Sequence, residues 1–188
     1  MAERINRRDL IIQTASELFV NQGYAATSVR QIADAVGCTE AALYYHFKNG
    51  KHALFQAVVE SKIPDFIDML DDCGHADTLG QFIQTYVHNM CTNCYELERS
   101  IQWVVAEFPN LSDDEKSLFH EKHLAFQAEL VKHLTPYVHD KCEADGLAWM
   151  LVCASFGYRQ IFITLGLDEL SDFPVDDFAG KMAYYLAR

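Results

Sequence analysis

The chain has 188 residues, half of them apolar and 12% aromatic, enough for a packed core and too apolar for a disordered chain. Its net charge of −12 argues against nucleic acid as a partner of the whole surface, yet the charge is uneven: residues 1–52 hold six Lys/Arg and five Asp/Glu, the remainder nine and twenty-two. An acidic body behind a near-neutral N-terminal segment leaves that segment as the only face suited to phosphate.

In chain order, Asn6 is placed to cap a first helix over about Arg7 to Asn21, with Leu10, Ile11, Ala15, Leu18 and Phe19 as its buried stripe. Ser28 and Gln31 have capping-box spacing, Ile32, Ala33 and Val36 form an apolar stripe, and Gly37 suits a left-handed helix end. Thr39 can cap a further helix that turns Leu43 and Phe47 inward. Two short helices joined by a Gly-containing turn predict a helix-turn-helix, whose second helix fits the major groove. A fourth helix starts near Lys51, uses Leu54, Phe55, Val58 and Val59, and is kinked or restarted at Pro64. Leu79, Phe82, Ile83, Tyr86, Val87, Met90, Cys94 and Leu97 recur at helical spacing, and Ile101, Val104, Val105 and Phe108 make a short helix ended by Pro109. Ser112 to Glu115 repeats the capping box and opens a helix carrying Phe119, His123, Phe126, Leu130 and Leu134 up to Pro136. Residues 145–165 are apolar on every side, and Val175, Phe178, Ala179, Met182, Tyr185 and Leu186 make a last amphipathic helix. No alternating strand pattern, repeat or low-complexity tract interrupts this all-α reading.

The residues Thr27-Ser28, Ile32-Ala33, Gly37, Leu43-Tyr44 with Phe47, then Lys51 and Leu54, resemble the DNA-binding region of the TetR family of bacterial transcriptional regulators. The upstream run Ala15 to Phe19 with Gly23-Tyr24 is similar to that family's first helix. The family usually has one residue fewer between Phe47 and Lys51, and the extra Gly50 resembles a variant with a glycine before the lysine. The resemblance implies a three-helix helix-turn-helix domain over 1–52 and a helical effector-binding and dimerisation domain over 53–188, about nine helices in all. It implies a regulator, most often a repressor, that binds a pseudo-palindromic operator as a homodimer and is released by a small-molecule effector. It also implies a recognition helix from Thr39 to His46, with Glu40, Ala41, Tyr45 and His46 facing the groove, Tyr44 and Thr39 meeting phosphates, and Lys51 opening the next helix at the backbone. Arg30 and Thr27 are expected to add backbone contacts. Tyr44 and Tyr45 have core packing as the alternative, and Arg4, Arg7 and Arg8 are either a DNA-tracking arm or a solvated terminus.

The apolar run at 145–165 needs cover on all sides. A second copy of the chain would supply it through Ala154, Phe156, Gly157, Ile161, Phe178 and Met182, forming the intersubunit four-helix bundle that the resemblance implies; the alternative is a central helix of a monomer. Expected effector-pocket residues are Tyr86, Met90, Trp103, Phe108, Phe126 and Tyr158, which suit a largely apolar or aromatic molecule, with core packing as the alternative for each. Arg159 is expected to pair with an acidic residue or an acidic effector. Cys91-x-x-Cys94 has redox or metal spacing but lies on an apolar stripe, and His120-x-x-His123 is the other metal-like spacing. A thiol redox enzyme and a helical interaction module that no longer binds DNA are the competing functions. No nucleophile-base pair, phosphate loop or full ligand set is present, so neither catalysis nor a cofactor is expected. The charged N-terminus lacks a signal-type apolar segment, and the uncharged apolar stretch Gly146 to Tyr158 is short for a bilayer; a cytoplasmic protein with six reduced cysteines and no membrane partner is expected.

Overall fold

The computed structural model describes residues 6–92 and 103–188, with the backbone alone for 62–69. The expectations placed on Arg4, Cys94, Leu97 and Ile101 lie outside the described residues. Among those described the fold is all-α, without a strand.

Helix α1 runs Arg7–Gln22, capped by the Asn6 side chain, which accepts from the Arg8 N–H. Its buried face is Ile11, Ile12, Ala15, Ser16 and Phe19, with Leu18 packed against the same core; of the expected stripe only Leu10 is exposed, and Ile12 is buried in its stead. Helix α2, Val29–Val36, has both halves of the Ser28/Gln31 capping box and ends at Gly37 with φ 71°. Helix α3, Glu40–His46, is capped by Thr39. Helix α4, Lys51–Cys73, continues through Pro64 rather than restarting there. Helix α5 is Leu79–Thr92. A helical turn at 103–107 leads into a 3₁₀ turn, Phe108–Asn110, which contains Pro109. Helix α6, Asp113–Leu134, gives way to a 3₁₀ turn at Pro136. Helix α7, Lys141–Tyr158, is capped by Asp140 and passes into a π-helical turn, Arg159–Thr164. Helix α8, Val175–Leu186, follows Pro174.

The chain folds as two compact units. The first takes the described residues within 1–63 and 96–122, the second those within 64–95 and 123–188. The division is therefore discontinuous in sequence and differs from a single cut at 52/53, because α4 and the segment from Trp103 to Lys122 contribute to the same core as the first three helices. That core joins Phe19, Ile32, Leu43, Leu54, Phe55 and Trp103. Each large apolar side chain buried there contributes about 1.5–3 kcal/mol. In the second unit α8 packs on α5, and Phe82, Tyr86, Leu130, Leu134 and Leu151 are the centre.

The helical run Lys141–Thr164 is long and apolar enough to cross a bilayer by length and composition, which the uncharged thirteen-residue stretch understated. One side of it, Ala144, Leu147, Ala148, Leu151, Ser155 and Tyr158, is buried in the second unit.

Candidate nucleic-acid interface

The turn between α2 and α3 is three residues, Gly37 to Thr39. Gly37 takes the left-handed conformation, and the N–H of Cys38 donates to Ala33 O at 2.9 Å, which closes the end of α2. The Thr39 hydroxyl accepts from Ala42 N at 3.2 Å and starts α3. Ile32, Ala33, Leu43 and Phe47 are buried, so the pair of helices has one apolar inner side. The outward side of α3 then follows from helical geometry: Glu40, Ala41, Ala42, Tyr45 and His46 are exposed, Tyr45 at 81%. Tyr45 and His46 meet edge to face with centroids 5.3 Å apart. This is a convex helix face of donors, acceptors and methyl groups with no Lys or Arg on it, able to meet base edges.

Cations sit around the helix rather than on it. Arg7 donates to Gly37 O at 3.2 Å, and the Arg8 guanidinium lies 5.4 Å from the Phe47 ring centre. Both are thus held against the motif, which is more order than a trailing arm has. Arg30 is exposed with Asp34 at 3.9 Å, and Lys48 is exposed just beyond α3. Thr27 corrects the expectation of a backbone contact: it is buried, and its hydroxyl donates to Gly23 O at 2.8 Å while accepting from Gln22. It fixes the α1–α2 connection instead.

Tyr44 is half-exposed and lies over the backbone of Gly50. Gly50 has φ 57°, and a Cβ there would stand 3.0 Å from Tyr44 Cε1 and 3.3 Å from its hydroxyl. The extra residue before Lys51 is therefore a left-handed turn that also seats the tyrosine. Replacing Gly50 by Ala is expected to cost about 1–2 kcal/mol from the left-handed backbone alone and to displace the Tyr44 ring. Denaturant unfolding measures the cost, and unchanged stability would show that the turn does not need this conformation.

Lys51 is the first residue of α4. Its ammonium donates to Ala25 O at 3.2 Å and lies 4.2 Å from the Tyr24 ring centre. Burial lowers its pKa from the ordinary lysine value, against the opposing pull of Glu107 and Glu115. Tyr24 in turn donates its hydroxyl proton to Glu115 Oε1. Burial first, and then that hydrogen bond and the carboxylate charge, push the phenol far above its ordinary value, so it remains a donor. Glu115 is buried; burial alone would raise its pKa, but hydrogen bonds from Tyr24, Ser112 and His52 outweigh this and hold it low. Sequence reasoning found Glu115 as a capping residue and Tyr24 as part of a motif, but not their pairing, since 91 residues separate them.

The other expected sites are distributed as follows. Tyr86, Met90, Phe126 and Tyr158 belong to the second unit's core, where Tyr158 donates to Phe173 O at 2.8 Å and stacks on Phe178 at 4.5 Å. Trp103 and Phe108 belong to the first unit's core, Trp103 among Phe19, Tyr24 and Phe55. The six pocket candidates therefore do not share one cluster. Phe156 and Ile161 are exposed, and no atom stands within 4 Å of a Cβ built at Gly157; Ala154 is half-buried. Phe178 and Met182 instead pack toward the core, leaving Tyr184 and Tyr185 as the exposed aromatics of α8. Arg159 is buried, and one of its terminal nitrogens donates to Met90 O at 3.2 Å and Cys91 O at 2.6 Å, backbone carbonyls of α5. Cys91 is buried with its sulfur near Ser155 O. The His120 ring lies 5.4 Å from that of Phe108, and the His123 ring stacks on Trp149 at 5.7 Å. Among the described residues no group of three metal-ligating side chains comes together.

Residues 11–58 match the model of the bacterial regulatory proteins of the tetR family. The chain is 31% identical over 136 residues to IcaR, the negative transcriptional regulator of the icaADBC biofilm operon in Staphylococcus epidermidis, covering 69% of this chain and 70% of that one. It is 40% identical over 65 residues to the transcriptional repressor KstR2 of Mycolicibacterium smegmatis, a match spanning 35% of this chain and only 29% of that relative. The crystal structure of a TetR transcriptional regulator from Legionella pneumophila superposes with a TM-score of 0.71 at 19% identity, covering the whole of both chains. At that identity the likeness is one of fold.

Proposed function

The chain belongs to the TetR family of bacterial regulatory proteins, and from that premise we propose that it is a cytoplasmic, homodimeric repressor that binds a pseudo-palindromic operator and is released by a small, largely apolar effector. The observation that carries the DNA-reading part is the capped α3, with Leu43 and Phe47 buried beneath and Glu40, Ala41, Tyr45 and His46 turned outward. In this reading Glu40 accepts from a cytosine amino group, Ala41 meets a thymine methyl, and Tyr45 and His46 supply the remaining discrimination. Thr39, Tyr44, Arg30 and Lys51 hold the phosphate backbone.

The dimer is supported by an apolar stripe along α7 and its π-helical extension. Trp149, Met150, Phe156 and Ile161 recur there at helical spacing and are exposed, beside the open face at Gly157. A second copy seated on that stripe would present two reading heads to two half-sites, as two-fold symmetry requires. The effector is assigned to the second unit, whose described core is aromatic around Tyr86, Phe126 and Tyr158.

Selection from randomised duplexes with the purified protein tests the reading. The expected result is enrichment of a pseudo-palindrome, with Tyr45→Ala changing the enriched bases and each lost base contact costing about 1–3 kcal/mol. Enrichment of no palindrome would overturn it.

A further inference from the structure

Glu115 is more deeply involved than a capping residue needs to be. Its Oε2 accepts from Ser112 N and Ser112 Oγ, both at 2.9 Å, and these two bonds close the N-terminus of α6. They also aim the other oxygen, Oε1, away from the cap. Oε1 takes the Tyr24 hydroxyl, and His52 Nδ1 stands 3.4 Å from it. An ordinary capping glutamate stays in solvent, whereas this one is only 6% exposed and its charge is balanced by hydrogen bonds within the first unit.

The carboxylate fixes Tyr24, and Tyr24 carries Lys51. The Tyr24 ring is wedged against Phe19 at 5.1 Å and Phe55 at 5.2 Å, so its plane is set by packing and its hydroxyl by Glu115. The Lys51 ammonium rests over that ring and on Ala25 O. A hydroxyl that donates to a carboxylate enriches its ring in electron density, which strengthens the ring's hold on a cation. Two anchors of this kind remove most of the rotamer freedom of a side chain that otherwise carries about 2 kcal/mol of it. The remaining ammonium protons are presented from the first turn of α4.

We propose that Glu115 is a positioning residue for DNA binding: through the Tyr24 hydroxyl it holds the Lys51 ammonium in place to meet a phosphate of the duplex. The proposal rests on the reading of Lys51 as a phosphate contact. It places a determinant of DNA affinity outside the helix-turn-helix, at the start of α6.

The test is the salt dependence of binding to the duplex enriched by selection, followed by fluorescence anisotropy, for the full chain and for Glu115→Gln, Tyr24→Phe, Lys51→Met and the Tyr24→Phe/Lys51→Met double variant. Loss of one phosphate contact lowers the slope of log K against log salt by about 1 per reading head. Lys51→Met is expected to show that loss, and Tyr24→Phe to show it although no cation has been removed. Glu115→Gln is expected to fall between Tyr24→Phe and the wild type, since its amide still accepts from Tyr24. The double variant is expected to match Lys51→Met alone. A slope unchanged in Tyr24→Phe and Glu115→Gln, or losses that add to that of Lys51→Met, would overturn the proposal. Tyr24→Phe keeps the ring and its packing, so the proposal stays testable if Glu115→Gln does not fold. A wild-type chain that binds no duplex at any salt concentration would instead overturn the regulator reading beneath it.

Discussion

Phe156→Glu is expected to abolish the proposed pairing of two chains and to weaken operator binding by roughly 10²–10⁴-fold, the advantage that a second linked contact confers. Phe156 lies on the exposed stripe of α7 with Trp149 and Met150, and Ile161 continues it on the π-helical turn. The neighbouring Gly157 has open space where a side chain would be, so another helix can come close. A carboxylate buried there would lack a partner, and its like-charged copy would face it across a two-fold axis. The stability of each chain should hardly change, because Phe156 is already half in solvent. Sedimentation gives the oligomeric state and anisotropy the affinity for the selected duplex. A variant that remains dimeric would place the interface elsewhere, and a monomeric variant with wild-type affinity would show that one head suffices.

Trp103→Ala is expected to destabilise the first unit by about 3–5 kcal/mol, the usual cost of removing a buried large aromatic side chain. Trp103 is 6% exposed and lies within 6.1 Å, centre to centre, of Phe19, Tyr24 and Phe55. These come from α1, the α1–α2 connection and α4, so the indole ties the segment at 103–107 to the reading head. Because Tyr24 is one of the three, DNA affinity should fall together with stability. Denaturant unfolding followed by fluorescence measures the loss. Full stability with loss of effector response alone would return Trp103 to the role that sequence reasoning gave it.

Local features were legible in the sequence, and features closed by distant residues were not. The Ser28/Gln31 box, the left-handed Gly37 and the Thr39 cap each depend on residues within four positions, and each appears in the structure as expected. The outward face of α3 followed as well, because Leu43 and Phe47 leave only one way to turn it. In the α1 stripe only Leu10 was misplaced, since Leu10 and Ile12 both fit a helical period beside Ile11, and only packing on neighbouring helices chooses between them. Trp103 and Tyr86 looked alike in sequence, as large side chains on apolar stripes; which core each enters depends on the discontinuous division of the chain. Arg159 was expected to face an acid; it donates to backbone carbonyls of α5, contacts that no pattern of charged residues announces. The Tyr24–Glu115 bond is the extreme case, a pair with no periodic signal at all.

The absence of Lys and Arg from α3 has a consequence for how the regulator is partitioned in a cell. A genome offers about 10⁶–10⁹ competing stretches of ordinary sequence, and adhesion to them is governed almost entirely by cations. Here the reading helix contributes a carboxylate, two aromatic rings and an imidazole, and the body is strongly acidic. In the proposed role, adhesion to irrelevant DNA falls to the cations around the helix, Arg7, Arg8, Arg30, Lys48 and Lys51. Choice among sites would then rest on how well a helix face without cations fits the base edges, while the surrounding Lys and Arg set the affinity for any duplex.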